Sequence, residues 1–134
     1  ALGLASQGAR VVVVARSRAK GEAIVREISE ATSDRSVELL LCNFVPQRSI
    51  RAAAEQVLAR CAAIHMLVNN AGVMNLRREV TEDGLEATFA INHLGYFLFT
   101  TLLLDRIIAS APARIVSVAS DAHKFEGELI LVET

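Results

Sequence analysis

Short apolar runs alternate with stretches of helical periodicity along almost the whole chain, and that alternation restricts the architecture more than any other feature. RVVVVA, Arg10 to Ala15, is continuous and β-branched, which suits a strand buried on both faces. Ser17 then offers a helix cap, and Ala23, Ile24, Ile28 and Ala31 fall on a helical stripe. VELLL, Val37 to Leu41, is a second strand, followed by Pro46 as a helix-start signal. The next helix carries the cleanest repeat: Ile50, Ala53, Ala54, Val57, Leu58 and Cys61. AIHMLV, Ala63 to Val68, is a third strand, and RIVSVAS, Arg114 to Ser120, a fourth.

Between those last two strands a long helix is expected. Thr81 would cap it, Glu82 and Asp83 would favour its positive end, and it would run to about Ala109. Its apolar residues form two faces, Leu85, Phe89, Tyr96, Phe99 and Leu103 on one, Ile91, Leu94, Leu98 and Leu102 on the other. A helix apolar on two sides needs cover on two sides, by a sheet and by either a neighbouring helix or a second subunit, the latter giving a homodimer through residues 82–109. The order is therefore a helix end, then βαβαβαβ, then a loop in DAHKFEGELILVET. It implies right-handed crossovers and an α/β, doubly wound parallel sheet in one domain over residues 1–134.

Composition narrows the partners. Fourteen basic against fifteen acidic residues leave a net charge of −1, so nothing attracts nucleic acid or an anionic membrane. A hydrophobic share of 52% fits a buried α/β interior. Cys42 and Cys61 form no CxxC or metal-like spacing and read as reduced core thiols in a cytoplasmic compartment. The most apolar stretch, Leu94 to Leu104, is too short to span a bilayer. No signal peptide opens the chain, and ALGLASQGAR reads like the middle of a longer protein.

In doubly wound sheets ligands sit beyond the carboxyl ends of the strands. After the first strand come Arg16, Ser17, Arg18 and Lys20, with no acid between Val11 and Ala19. An arginine there can pair with a ribose phosphate, which favours NADP over NAD; a solvated basic loop is the alternative. After the second strand, Asn43 either accepts from an adenine amino group or makes an Asx-turn before Pro46. After the third come Asn69, Asn70, Ala71 and Gly72. Ala71 and Gly72 leave a ribose or nicotinamide room, while the asparagines can brace the strand ends. Within the long helix, Asn92 and Gly95 are both poor helix formers and imply a local distortion that frees a backbone carbonyl. Neighbouring His93 reads as a packed or partly exposed histidine. Ser120 ends the fourth strand and either polarises a carbonyl or caps the next loop; His123 reads as a loop residue.

Taken together, ASQGARVVVVARS, LVNNAGVM, FAINHLGYFLFTTLLL and APARIVSVASDAH resemble the short-chain dehydrogenase/reductase superfamily, most closely its retinol-dehydrogenase-like branch. The resemblance implies a Rossmann-like sheet in which Asn69, Asn70, Ala71 and Gly72 line the cofactor cleft. It places Arg16 at the adenosine phosphate and Asn43 beside the adenine, where the family usually has aspartate. It makes Asn92 the asparagine of the catalytic tetrad, holding a relay water, and Ser120 the serine that orients the substrate carbonyl.

Two motifs of the family are absent. No TGxxxGxG phosphate loop occurs, since Gly8 ends the helix that such a loop would open, and no YxxxK follows Ser120. The one tyrosine, Tyr96, has no lysine four residues on. The resemblance thus implies an incomplete domain, lacking the first strand and the C-terminal strands. Its parent would be an NADP-preferring oxidoreductase that interconverts a small hydrophobic alcohol and a carbonyl by hydride transfer, and the chain alone is expected to be inactive. The alternative is a degenerate, non-catalytic Rossmann-fold interaction module.

Overall fold

A computed structural model of the chain describes residues 1–32, 36–75 and 77–120. Helix α1 (Leu2–Ala5) leads into β1 (Val12–Ala15), α2 (Arg18–Thr32), β2 (Glu38–Leu41), α3 (Gln47–Arg60) and β3 (Met66–Asn69). A long helix follows in three parts, α4 (Ala87–Phe89), a π-helical turn (Ala90–Leu94) and α5 (Gly95–Ala109), before β4 (Arg114–Ser117). The expected tail segment and His123 lie outside the described residues.

All four expected strands form, each shorter than its apolar run. β1 pairs in parallel with β2, Val12 opposite Glu38, and β3 pairs in parallel with β4, Asn69 opposite Ser117. The third strand starts later than expected and takes in Asn69, so the first of the two asparagines belongs to the ladder. Among the described residues the two pairs share no ladder, leaving β1 and β3 each with one open edge. This is the incomplete doubly wound sheet that the sequence implied.

Alternation along β1 sorts the layers. Val12 and Val14 pack, with Leu40 of β2, against Ile50, Ala53, Ala54 and Val57 of α3 and Phe99, Leu103 and Ile107 of α5. Val11 and Val13 point the other way, to Ala5, Val25, Ile28 and Val37. Each fully buried Leu or Ile contributes about 1.5–3 kcal/mol relative to exposure, so these two clusters hold the layers together. β3 is covered on one face, leaving Met66 and Val68 exposed, and all four residues of β4 are exposed.

Helix α2 turns a different face inward from the one its hydrophobic residues suggested. Ala23 and Ala31 are exposed and Ile24 is 40% exposed, while Gly21, Val25 and Ile28 meet the core. Gly21 suits this rotation. A Cβ there would stand 2.4 Å from Leu39 Cδ1 and 3.2 Å from Ala15 Cβ, so any larger residue would have to displace Leu39 for the helix to sit this close to β1 and β2. In α3 the expected stripe is the buried one, with Leu58 and Cys61 at its margin.

The long helix starts at Ala87, six residues beyond the expected Thr81 cap. Thr81 spends its hydroxyl on the Leu85 N–H (3.2 Å) in a turn that Gly84 closes at φ +77°, a left-handed conformation that favours glycine. Glu86 caps instead, its carboxylate accepting from the Thr88 and Phe89 N–H groups at 2.9 and 2.7 Å. The acids expected at the helix start serve α3. Asp83 accepts from the Gln47 N–H at 2.9 Å, and Glu82 pairs with Arg48 at 2.5 Å. At the far end of α3 the guanidinium of Arg106 donates to the Leu58 and Cys61 carbonyls. Both termini of α3, with their unpaired backbone groups, are therefore satisfied from the long helix and its approach.

The two expected apolar faces are redrawn by the π-turn, whose extra residue rotates everything after it by about 100°. Phe89 swings out to 46% exposure while Phe99, Leu103 and Ile107 are buried. Leu98 and Leu102 pack at the core margin, so the face left uncovered is Phe97, Leu104 and Ile108. By length and composition alone the continuous helix Ala87–Ala109, 23 residues with an 18-residue window of mean hydropathy 1.4, is long and apolar enough to cross a membrane. The expectation that no such segment exists counted only its most apolar eleven-residue core, Leu94 to Leu104. A buried core helix meets the same measure.

Candidate functional site

The carboxyl ends of β2 and β3 meet at the amino end of α5. From β2, the chain passes Asn43 to Phe44, whose ring lies edge-on to Tyr96 and Phe99 at centroid distances of 5.8 and 5.7 Å. From β3, it passes Asn70, Ala71 and Gly72 to Val73, which is bound to Asn92 in the π-turn. Arg16 follows β1 next to Asn43, because the Cys42 N–H donates to the Ala15 carbonyl (3.0 Å). Val118, leaving β4, donates to the Asn69 carbonyl at 2.9 Å; β4 ends at Ser117, so Ser120, expected as its last residue, lies three residues beyond it. The eight residues singled out in the sequence thus stand at strand exits or on the helix turn that faces them.

Their chemistry differs one from another. Asn69 is buried at 5% exposure, and its Nδ2 donates to Thr100 Oγ1 (3.2 Å) and Ser117 Oγ (3.4 Å). It ties β3, β4 and α5 together at the point where both strands end, the bracing role expected of a buried carboxamide. Asn70, Ala71 and Gly72 are exposed. Among the described residues, a Cβ on Gly72 would meet only Asn92 Oδ1, at 3.7 Å, which leaves room beside this backbone for a flat ligand.

Asn92 uses its whole carboxamide on one residue. Oδ1 accepts from the Val73 N–H at 2.9 Å and Nδ2 donates to the Val73 carbonyl at 2.8 Å. The local distortion that Asn92 and Gly95 implied is present as the π-turn, closed by the Gly95 N–H to the Ala90 carbonyl. Such turns are frequent at functional sites. His93 is exposed and stacks on Phe89 at 5.1 Å.

Asn43 makes the Asx-turn, its Oδ1 accepting from the Val45 N–H at 3.1 Å, while its own N–H donates to Ser49 Oγ at 2.9 Å. The turn leaves Oδ1 one further lone pair. Arg16 is exposed, whereas Arg18 is engaged with Glu22 at 3.3 Å. Ser17 caps α2 through a long contact from the Lys20 N–H, 3.4 Å. Burial pushes the Tyr96 phenol above its ordinary pKa. Among the described residues its hydroxyl is buried without a hydrogen-bond partner.

Sequence reasoning missed Thr100, Ser117, Phe44 and the Val73 backbone. Ser117 and Thr100 were visible as hydroxyls in otherwise apolar runs, the usual sign of a buried polar contact. Val73 carried no signal, since its part is played by its main chain.

A family model described as short chain dehydrogenase matches residues 1–131. The chain is 47% identical over 120 residues to the human protein named retinol dehydrogenase 12, covering 90% of this chain and 38% of that protein. It is 44% identical over 120 residues to human retinol dehydrogenase 11, with the same coverage. It therefore spans well under half the length of these relatives. Among solved structures, a metagenomic short-chain oxidoreductase in complex with NADP aligns at a TM-score of 0.74 and 32% identity, covering 86% of this chain and 52% of that one.

Proposed function

We propose, on the premise that this chain belongs to the short chain dehydrogenase family, that it is a segment of an NADP-preferring oxidoreductase interconverting an apolar alcohol and a carbonyl. The observation that carries the reading is the Asn92–Val73 pair. It holds the cleared Asn70–Gly72 backbone against a π-turn at the carboxyl ends of the strands, where ligands of doubly wound sheets bind. A nicotinamide nucleotide bound there would supply hydride exchange. The residues of this chain would hold and orient it: Arg16 at an adenosine phosphate, Asn43 by the adenine, and Asn70, Ala71 and Gly72 along the nicotinamide ribose. Ser120 would donate a hydrogen bond to the substrate oxygen, keeping its proton while it orients and polarises the carbonyl. The chain has no tyrosine–lysine pair at YxxxK spacing to move the proton, so on its own it would bind weakly and turn nothing over.

NADP in the similar metagenomic structure supports the cofactor preference, as does the basic Arg16 where an acid would favour NAD. Relatives named retinol dehydrogenases support an apolar substrate. The uncovered stripe of Phe97, Leu104 and Ile108 supports pairing of two long helices in a homodimer. The free thiols of Cys42 and Cys61 suit a reducing, cytoplasm-facing environment. The test is NADPH oxidation with apolar aldehydes by the protein expressed at its full natural length. Turnover is expected there, absent from residues 1–134 alone, and lowered about a hundredfold in Ser120→Ala. A full-length protein that binds no nicotinamide nucleotide would instead favour an interaction module.

A further inference from the structure

Gly95 sits where nothing about backbone freedom asks for glycine. Its φ and ψ, −63° and −41°, are those of any helical residue. Space is the reason instead. A Cβ at this position would stand 2.8 Å from Phe44 Cδ1, 3.1 Å from the Ala90 carbonyl oxygen and 3.5 Å from Ile50 Cδ1. The Ala90 oxygen is also the acceptor that closes the π-turn from the Gly95 N–H. Phe44 cannot easily withdraw, because the Asn43 Asx-turn and the bond to Ser49 fix its backbone, while Tyr96 and Phe99 flank its ring.

We infer that the Phe44 ring locks position 95 to glycine: a side chain there would push the helix off the ring, disturb the π-turn and release Asn92 from Val73, so Gly95 is a positioning residue. The ring enters from the loop that leaves β2, the side proposed for adenine, and the Asn92–Val73 clasp lies on the loop that leaves β3. The absence of a Cβ at Gly95 thus lets the two halves of the cleft approach this closely. The inference rests on the proposed cofactor site only for its catalytic consequence; the lock itself is a statement about geometry.

The test uses the full-length protein with Gly95→Ala, Phe44→Leu and the double variant. The first readout is amide hydrogen exchange at Val73, whose N–H is held by the Asn92 side chain. Gly95→Ala is expected to lose that protection, Phe44→Leu alone to keep it, and the double variant, with the ring removed from beside the new Cβ, to regain most of it. Unchanged protection in Gly95→Ala, or no recovery in the double variant, overturns the lock. The second readout is kcat together with cofactor Kd. Gly95→Ala should lower kcat by up to about a hundredfold, as a misplaced catalytic group does, and weaken NADPH binding, and the double variant should recover most of both. Loss and recovery of Val73 protection in a protein with no turnover would uphold the lock and defeat the oxidoreductase reading separately.

Discussion

Asn92 and Val73 are joined as two strands of a sheet are joined, one N–H and one carbonyl of the backbone each answered, but by a side-chain carboxamide. The pairing fixes a loop that has no ladder of its own. It also places the π-turn within two residues of Gly72.

Replacing Asn92 with alanine removes both bonds. The cost is expected to be about 1–2 kcal/mol in the full-length protein, since these groups are partly hydrated when released. Urea unfolding would read the loss. Hydrogen exchange should show it concentrated at residues 70–75, with the α3 core unchanged.

Asn69 is expected to be the more costly asparagine. It is buried, and its amide serves hydroxyls on both β4 and α5. Asn69→Ala should destabilise by about 1–3 kcal/mol because Thr100 and Ser117 lose a shared donor in the interior. A thermal melt that does not move would contradict the bracing role.

Alanine ordinarily improves a helix by about 1 kcal/mol over glycine. At position 21 the sign is expected to reverse, because the new methyl would lie 2.4 Å from Leu39 Cδ1. Gly21→Ala should be net destabilising by about 1–3 kcal/mol, as overpacked cores are. Leu39→Ala in the same chain should return part of it, which a double-mutant cycle measures directly.

Glu86 predicts a pH dependence. The Phe89 and then the Thr88 N–H groups hold its carboxyl below the ordinary carboxylate pKa. A group depressed in the folded state contributes its full stability above its unfolded pKa, about 4.3, and loses it as the pH falls through the folded value. The cap is therefore expected to be intact at neutral pH and to fade in acid. Glu86→Ala should lower stability by about 1 kcal/mol at pH 7 and by progressively less below pH of about 4. Equal losses at pH 7 and at pH 3 would show that the carboxylate is not the cap.

The sequence by itself determined the layers. Four apolar runs of strand length, separated by helical stripes, leave no other arrangement that buries them, and the small residues and carboxamides after those runs mark the ligand edge. Asn92 and Gly95 announced a distortion because neither belongs inside an apolar helix. Tertiary structure decided the rest, wherever the outcome depends on what a residue meets across space. Thr81 looked like a cap, but the left-handed turn at Gly84 consumed its hydroxyl and passed the role to Glu86. Ile24 looked like core, yet α2 packs its Gly21 face tightly against Leu39 and Ala15 instead. Which face of the long helix is buried followed from one extra residue in the π-turn, and the partner of Asn92 was a backbone that no side-chain pattern could announce. Periodicity is local and survives in sequence; the meeting of atoms distant along the chain exists only once it has folded.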